Sequence, residues 1–192
     1  MAIDCSALTR RLPDSLPAAS DRLRLFFACW PAPALQRQLH DVGNILKLQI
    51  GGRVSRSENI HLTLAFLGDV AAGQFPVLQQ LAGSIVAPAF TLPLERLGCW
   101  PDGGIGWLAP DEVPEGLLQL VRQLNEALQR AGFRTEKRRF RPHVTLLRKA
   151  NKSWRSTLAA PLRWEVDTFV LVASTLDQHG SVYRILGRWP LQ

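Results

Sequence analysis

The residues of this chain whose types and spacing suit chemistry fall in two short stretches of one kind, His61-Leu62-Thr63-Leu64 and His143-Val144-Thr145-Leu146. Each lies in a run of apolar and β-branched residues that predicts a strand, where alternate side chains share a face. His61 and Thr63 then point one way beside Ala65, while Ile60, Leu62, Leu64 and Phe66 point the other. His143 and Thr145 likewise share a face opposite Val144 and Leu146. Imidazole, with an ordinary pKa of about 6.5, serves as base or acid near neutral pH. A threonine hydroxyl donates to a phosphate oxygen and holds the charge that builds there. Brought to one point, the two strands would let one histidine take a proton from water and the other give one to a departing alkoxide, on opposite sides of a phosphorus. That chemistry requires no metal or other cofactor, and no third ligand stands at a spacing suited to a two-histidine metal site.

The elements that must position these residues can be read along the chain. A length of 192 residues with 46% apolar content supports one substantial domain or two fused lobes. Residues 1 to 20 carry Pro13 and Pro17 without a sustained period and read as an N-terminal arm; residues 21 to 192 read as the domain. Leu23, Leu25 and Phe27 alternate against Arg22, Arg24 and Phe26 in a first strand, and Leu35, Leu39, Val42, Ile45 and Leu46 make the stripe of a helix. The first motif strand covers about residues 59 to 67, and a second helix covers 75 to 87. A strand from Phe90 to Leu97 contains Pro93, which confines it to an edge or a bulge. Strand Ile105 to Leu108 precedes the longest helix, with Leu117, Val121, Leu124, Ala127 and Leu128 on its apolar face after Pro114. The second motif strand follows, and a hairpin of Phe169 to Thr175 and Val182 to Leu186 turns around Asp177 to Gly180.

The motifs lie 82 residues apart, from His61 to His143, and the same offset carries the preceding strand and helix onto Ile105, Trp107, Ala109 and the stripe of the longest helix. Strand, helix, loop and motif strand thus recur as one unit. The expected architecture is α+β and bilobal, a pseudo-two-fold duplication with two mainly antiparallel sheets facing a central cleft and helices outside.

A net charge of +7 points to an anionic partner, nucleic acid being the commonest. Arg134, Lys137, Arg138, Arg139 and Arg141 cluster just before the second motif, with only Glu136 opposing them; they suit an RNA-backbone track or a solvated loop. Phe140 in that run suits stacking on a terminal base or a place in the core. His40 reads as a surface residue, His179 as part of a turn, and the six tryptophans as core or lobe packing. Cys5, Cys29 and Cys99 are odd in number and lack metal spacing, so they suggest neither a disulfide framework nor a zinc site and suit a reducing cytosol. No stretch reaches the ~18 apolar residues of a membrane span, and the first 20 residues have no signal-like apolar core, so a cytoplasmic protein with no membrane partner is expected.

The two motifs, together with Arg24-Leu25-Phe26-Phe27-Ala28, Asn59 to Gly68 and Arg141-Pro142-His143-Val144-Thr145-Leu146-Leu147-Arg148, resemble the 2H phosphoesterase superfamily over about residues 22 to 190. Within it the sequence is similar to the bacterial RNA 2',3'-cyclic phosphodiesterases, also called 2'-5' RNA ligases. That resemblance implies metal-independent opening of a terminal 2',3'-cyclic phosphate to a 2'-phosphomonoester, with reversible 2'-5' joining of tRNA halves as a secondary activity. It implies His61 as proton donor to the leaving 3'-oxygen, His143 as the acceptor that activates water, Thr63 and Thr145 as phosphate holders, and Arg148 as a neutraliser of phosphate charge. Ala173, before Ser174, departs from a family preference for an acidic residue there; Gly180 and Tyr183 fit the pattern. Two alternatives stand beside this one: a 2H phosphodiesterase for 2'-5' oligonucleotides or a small cyclic nucleotide, and a non-catalytic RNA-binding protein. Paired histidines speak against the last, because Arg or Lys would serve binding alone. A monomer without an obligate protein partner is expected, since the duplication supplies both walls of the cleft.

Overall fold

A computed structural model describes residues 22 to 192 except 137 and 179, so the N-terminal arm, Cys5, Lys137 and His179 lie outside the described residues. The chain runs β1 (Arg22–Cys29), α1 (Pro33–Ile50), β2 (Arg53–Val54), β3 (Leu62–Ala71), α2 (Phe75–Gly83), β4 (Phe90–Trp100), β5 (Ile105–Ala109), α3 (Glu115–Arg130), β6 (Val144–Arg148), β7 (Arg155–Val166), β8 (Thr168–Asp177) and β9 (Gly180–Pro190). Among the described residues no helix is long and apolar enough to cross a membrane, and Cys29 and Cys99 are buried free thiols.

The sheet order is β7-β4-β5-β6-β3-β1-β8-β9, with β2 on the edge of β6, and every pairing is antiparallel. The two sheets expected of the two lobes are therefore joined into one. They meet at a single residue pair, Leu62↔Val144. These two residues are related by the motif offset, so the approximate two-fold passes through their pairing. Both are fully buried. Beyond it β3 and β6 part, and β2 covers the rest of the β6 edge through Arg53↔Arg148 and Val54↔Leu147.

Each unit lends parts to the other lobe. β4, which follows the first motif, pairs with β5, and β8, which follows the second, pairs with β1. Helix α1 packs on β5 and β6, while α3 packs on β3 and α2. Gly43 lets α1 come close: a Cβ there would stand 3.0 Å from Val54 Cγ1 and 3.5 Å from the Leu146 carbonyl. One continuous core then holds both inner sheet faces and all three helices.

Two expectations change, and one strand has no clear signal in the sequence. The gapless offset fails outside the motifs: Cys29 faces Leu62 and Leu108 faces Val144, so the first strands correspond three residues out of step. The buried residues of α1 include Leu39, Gly43, Leu46 and Ile50, whereas Ile45 is exposed, because the helix turns Gly43 rather than Ile45 towards β6. Strand β7, with Pro161 and mostly exposed side chains, carries too weak an alternation to be read, as befits a strand at the end of the sheet. Pro93 sits where β4 pairs with β7 alone, on a local edge, just before a register shift at Leu94/Arg96.

Candidate active site

The motif histidines stand immediately before their strands, His61 before β3 and His143 before β6. With Leu62 and Val144 turned into the core, parity puts His61, Thr63, His143 and Thr145 on the opposite face. The antiparallel crossing turns His61 towards the strand of Thr145 and His143 towards that of Thr63.

Each histidine is anchored in the same way. Nδ1 of His61 lies 2.7 Å from the Asn59 carbonyl, and Nδ1 of His143 lies 2.8 Å from the Arg141 carbonyl. A carbonyl only accepts, so both Nδ1 atoms carry the proton and both Nε2 atoms are left for proton exchange. Asn59 also donates from Nδ2 to the Ser181 carbonyl at 2.8 Å, tying the first motif to the β8–β9 hairpin. Buried Gln36 donates to the carbonyls of Glu58 and Ile60, tying it to α1.

The strands do not alternate throughout. A register shift occurs between Phe27/Ala28 opposite β3 and between Gly106/Trp107 opposite β6, leaving Leu64 and Leu146 as the extra residues of two equivalent β-bulges. The burial sequence is then the same in both: Thr half-buried, two residues buried, the next exposed. Phe66, expected on the core face, is instead 41% exposed on the cleft, and Ala65 joins the core. Arg148 arrives on the cleft by the same device. Phe66 and Arg148 are therefore counterparts, each five residues after its histidine.

A cleft cavity of about 870 Å³ is lined by His61, Thr63, Thr145 and Arg148, together with Arg24, Arg53, Arg56, Asn59, Phe66, Ser174 and Tyr183. Arg53 and Arg148 face each other directly across β2 and β6, a like-charge pair that costs stability unless an anion lies against it. Gly52 permits this pairing: its φ is +90°, and a Cβ would stand 2.8 Å from the Arg148 carbonyl. Of the expected residues, Arg139 and Arg141 are exposed on the loop before β6, and Phe140 packs half-buried against the core. None of these three lines the cleft cavity. His143 does not line it either, but His143 and Arg148 both act on the charge of His61, which places the three within electrostatic reach.

Aromatic rings surround the imidazole of His61, and one stands against that of His143. Around His61 stand Trp30, stacked at 5.1 Å, Phe26 at 4.9 Å and Tyr183 edge-on at 5.2 Å. Trp100 meets His143 edge-on at 4.7 Å and itself leans on Trp107. Burial brings the His61 pKa down to about 4; the Asn59 carbonyl opposes this, and the charges of Arg148 and His143 add to it. Burial also lowers His143, assisted by Arg148 and opposed by the Arg141 carbonyl and Glu136. The walls were missed in the sequence, although the alternation of β1 already placed Arg24 and Phe26 on the face away from the core. Among the described residues no three His, Cys, Asp or Glu side chains converge as a metal set.

An antiparallel duplication with one His-x-Thr motif per lobe, meeting at a shared cleft, is the arrangement of a two-histidine phosphoesterase. The model of the 2'-5' RNA ligase superfamily matches residues 12–178, and the chain belongs to that superfamily. Its relatives include the RNA 2',3'-cyclic phosphodiesterase of Escherichia coli, 38% identical over 90% of this chain and 98% of the relative. The protein of that name from Thermus thermophilus is 29% identical over 88% of this chain and 91% of its own length. Among solved structures, E. coli LigT complexed with 3'-AMP superposes with a TM-score of 0.78 at 35% identity, covering 90% of this chain and 99% of that one.

Proposed function

We propose that this enzyme hydrolyses RNA ends bearing a 2',3'-cyclic phosphate to 2'-phosphomonoesters by two-histidine acid-base catalysis. The observation that carries the reading is the pair of imidazoles with matching Nδ1 anchors, related by the two-fold through Leu62 and Val144 and sharing Arg148. His143 Nε2 takes a proton from water as its oxygen bonds to phosphorus; the P–O3' bond breaks, and His61 delivers its proton to the 3'-oxygen. Thr63, Thr145 and Arg148 hold the non-bridging oxygens as charge develops. Arg53, opposite Arg148, belongs with them. A 5'-hydroxyl in place of water would form a 2'-5' linkage by the same transfers, so ligation of RNA halves is a secondary activity of the site. Arg139 and Arg141 are assigned to an outer RNA track on their exposure and position, while Phe140 is assigned to the core. The relatives above, named for a 2',3'-cyclic phosphodiesterase acting on RNA, support the substrate class and with it a place in the cytoplasm, and the internal duplication supports action as a monomer.

The test is to incubate the protein, with chelator present, with a short RNA ending in a 2',3'-cyclic phosphate, running His61→Ala and His143→Ala alongside. Wild-type conversion to a 2'-phosphate, lost in both variants by 10²-fold or more, is expected. RNA binding without turnover at any pH would leave a binding protein; turnover surviving both substitutions would place the chemistry elsewhere.

A further inference from the structure

A second, shallower cavity of about 570 Å³ adjoins the cleft and is lined by Arg24, Phe66, Leu67, Gly68, Arg134 and Glu136, among others. Arg24 and Phe66 line both cavities, so this pair forms the sill between them. Phe66 is an exposed aromatic ring on a strand whose other large apolar side chains are buried or half-buried. The bulge at Leu64 is what holds it there. The Arg24 guanidinium lies 4.8 Å from the ring centroid, a cation–π contact that braces the ring and puts positive charge beside it. Across the cleft the corresponding position holds Arg148, a phosphate ligand. Lobe one thus offers a stacking surface where lobe two offers a charge.

We propose that Arg24 and Phe66 form a subsite for the nucleotide on the 5' side of the terminal one, with the penultimate base stacked on Phe66 and the linking phosphate at Arg24. This rests on the phosphodiesterase reading and deepens it: the preferred substrate is an oligonucleotide rather than a cyclic mononucleotide. A mononucleotide occupies one cavity, whereas a strand leaving the histidines must cross the sill to enter the other. The chain beyond it would run along Arg134, with Glu136 on the same rim turning the backbone to the arginine side. A stacked base on a braced ring is tolerant of sequence, so no base preference is expected at this position.

The experiment compares kcat/KM for a dinucleotide ending in a 2',3'-cyclic phosphate with that for the matching cyclic mononucleotide. Wild type should favour the dinucleotide by about tenfold, in keeping with the strength of base–aromatic stacking. Phe66→Ala should bring the ratio close to one, and Phe66→Trp should restore it. A wild-type ratio near one overturns the subsite. So does a Phe66→Ala protein that loses both substrates in proportion, which would place the ring against the terminal nucleoside or in a purely structural role. Equilibrium binding of the dinucleotide and mononucleotide 2'-phosphates reads the same ratio without turnover. Should hydrolysis itself fail, the function falls while the subsite is still decided.

Discussion

The two histidines share a backbone anchor but not an environment. His61 is closed in by Trp30, Phe26 and Tyr183 and titrates at about 4, while His143, walled by Trp100, is lowered from its ordinary value by burial. The proposed two-histidine catalysis needs one imidazole protonated and the other neutral, so kcat/KM should fall below the lower of the two titrations and above the higher. With both below 6.5 in the free enzyme, the bell should peak on the acid side of pH 6.5. Bound phosphate counters the charge of Arg148 and raises both values, so the kcat profile should lie at higher pH than that of kcat/KM. Measuring both profiles from pH 3.5 to 9 on a cyclic-phosphate substrate checks this. A flat profile, or a kcat/KM maximum above pH 7, would contradict the two-histidine assignment.

At the scale of elements, two short features shape the cleft. Strand β2 brings Arg53 opposite Arg148, and with no anion between them the guanidinium groups repel. Arg53→Gln should therefore raise KM for RNA several-fold while raising the thermal midpoint of the ligand-free protein slightly, by about 0.2–1 kcal/mol of stability. A lower midpoint with unchanged KM would assign Arg53 to structure instead. The second feature is the seat of Trp107 on β4: a Cβ at Gly98 would lie 2.3 Å from the indole Cζ2. Trp107 pairs with Thr145 and supports Trp100 against His143. Gly98→Ala should cost about 1–3 kcal/mol in chemical denaturation through overpacking. Activity should fall with it, because the displaced ring moves the wall of His143.

Over the whole molecule, the duplication joined through Leu62 and Val144 makes a cleft from one chain, with each unit's helix and following strand given to the opposite lobe. Such exchange leaves neither lobe with a complete core of its own, so the two should unfold together in a single transition. The net charge of +7 and the arginines lining the cleft would draw an anionic substrate at this scale. Log kcat/KM for an RNA oligonucleotide should decline with log salt by about 0.7 per phosphate contacted, and less steeply for a cyclic mononucleotide. Equal slopes for the two would remove the RNA track.

The sequence by itself determined the repeated motif, the parity that turns His61, Thr63, His143 and Thr145 from the core, the α+β class and the basic character. These are legible because strand alternation and helix periodicity act over a few residues. The buried pair Leu62 and Val144 and the stripe of α3 follow that local rule closely. Tertiary structure alone decided what depends on neighbours distant in the chain. The bulges at Leu64 and Leu146 exist only against their partner strands, and they carry Phe66 and Arg148 across to the cleft. Trp30, just past β1, and Tyr183, on β9, reach His61 from places far apart in sequence, and Arg53 meets Arg148 through a two-residue strand too short for any periodicity. The pairing of lobes at one residue pair is likewise a matter of register, which hydrogen bonding between strands sets and which alternation along either strand does not contain.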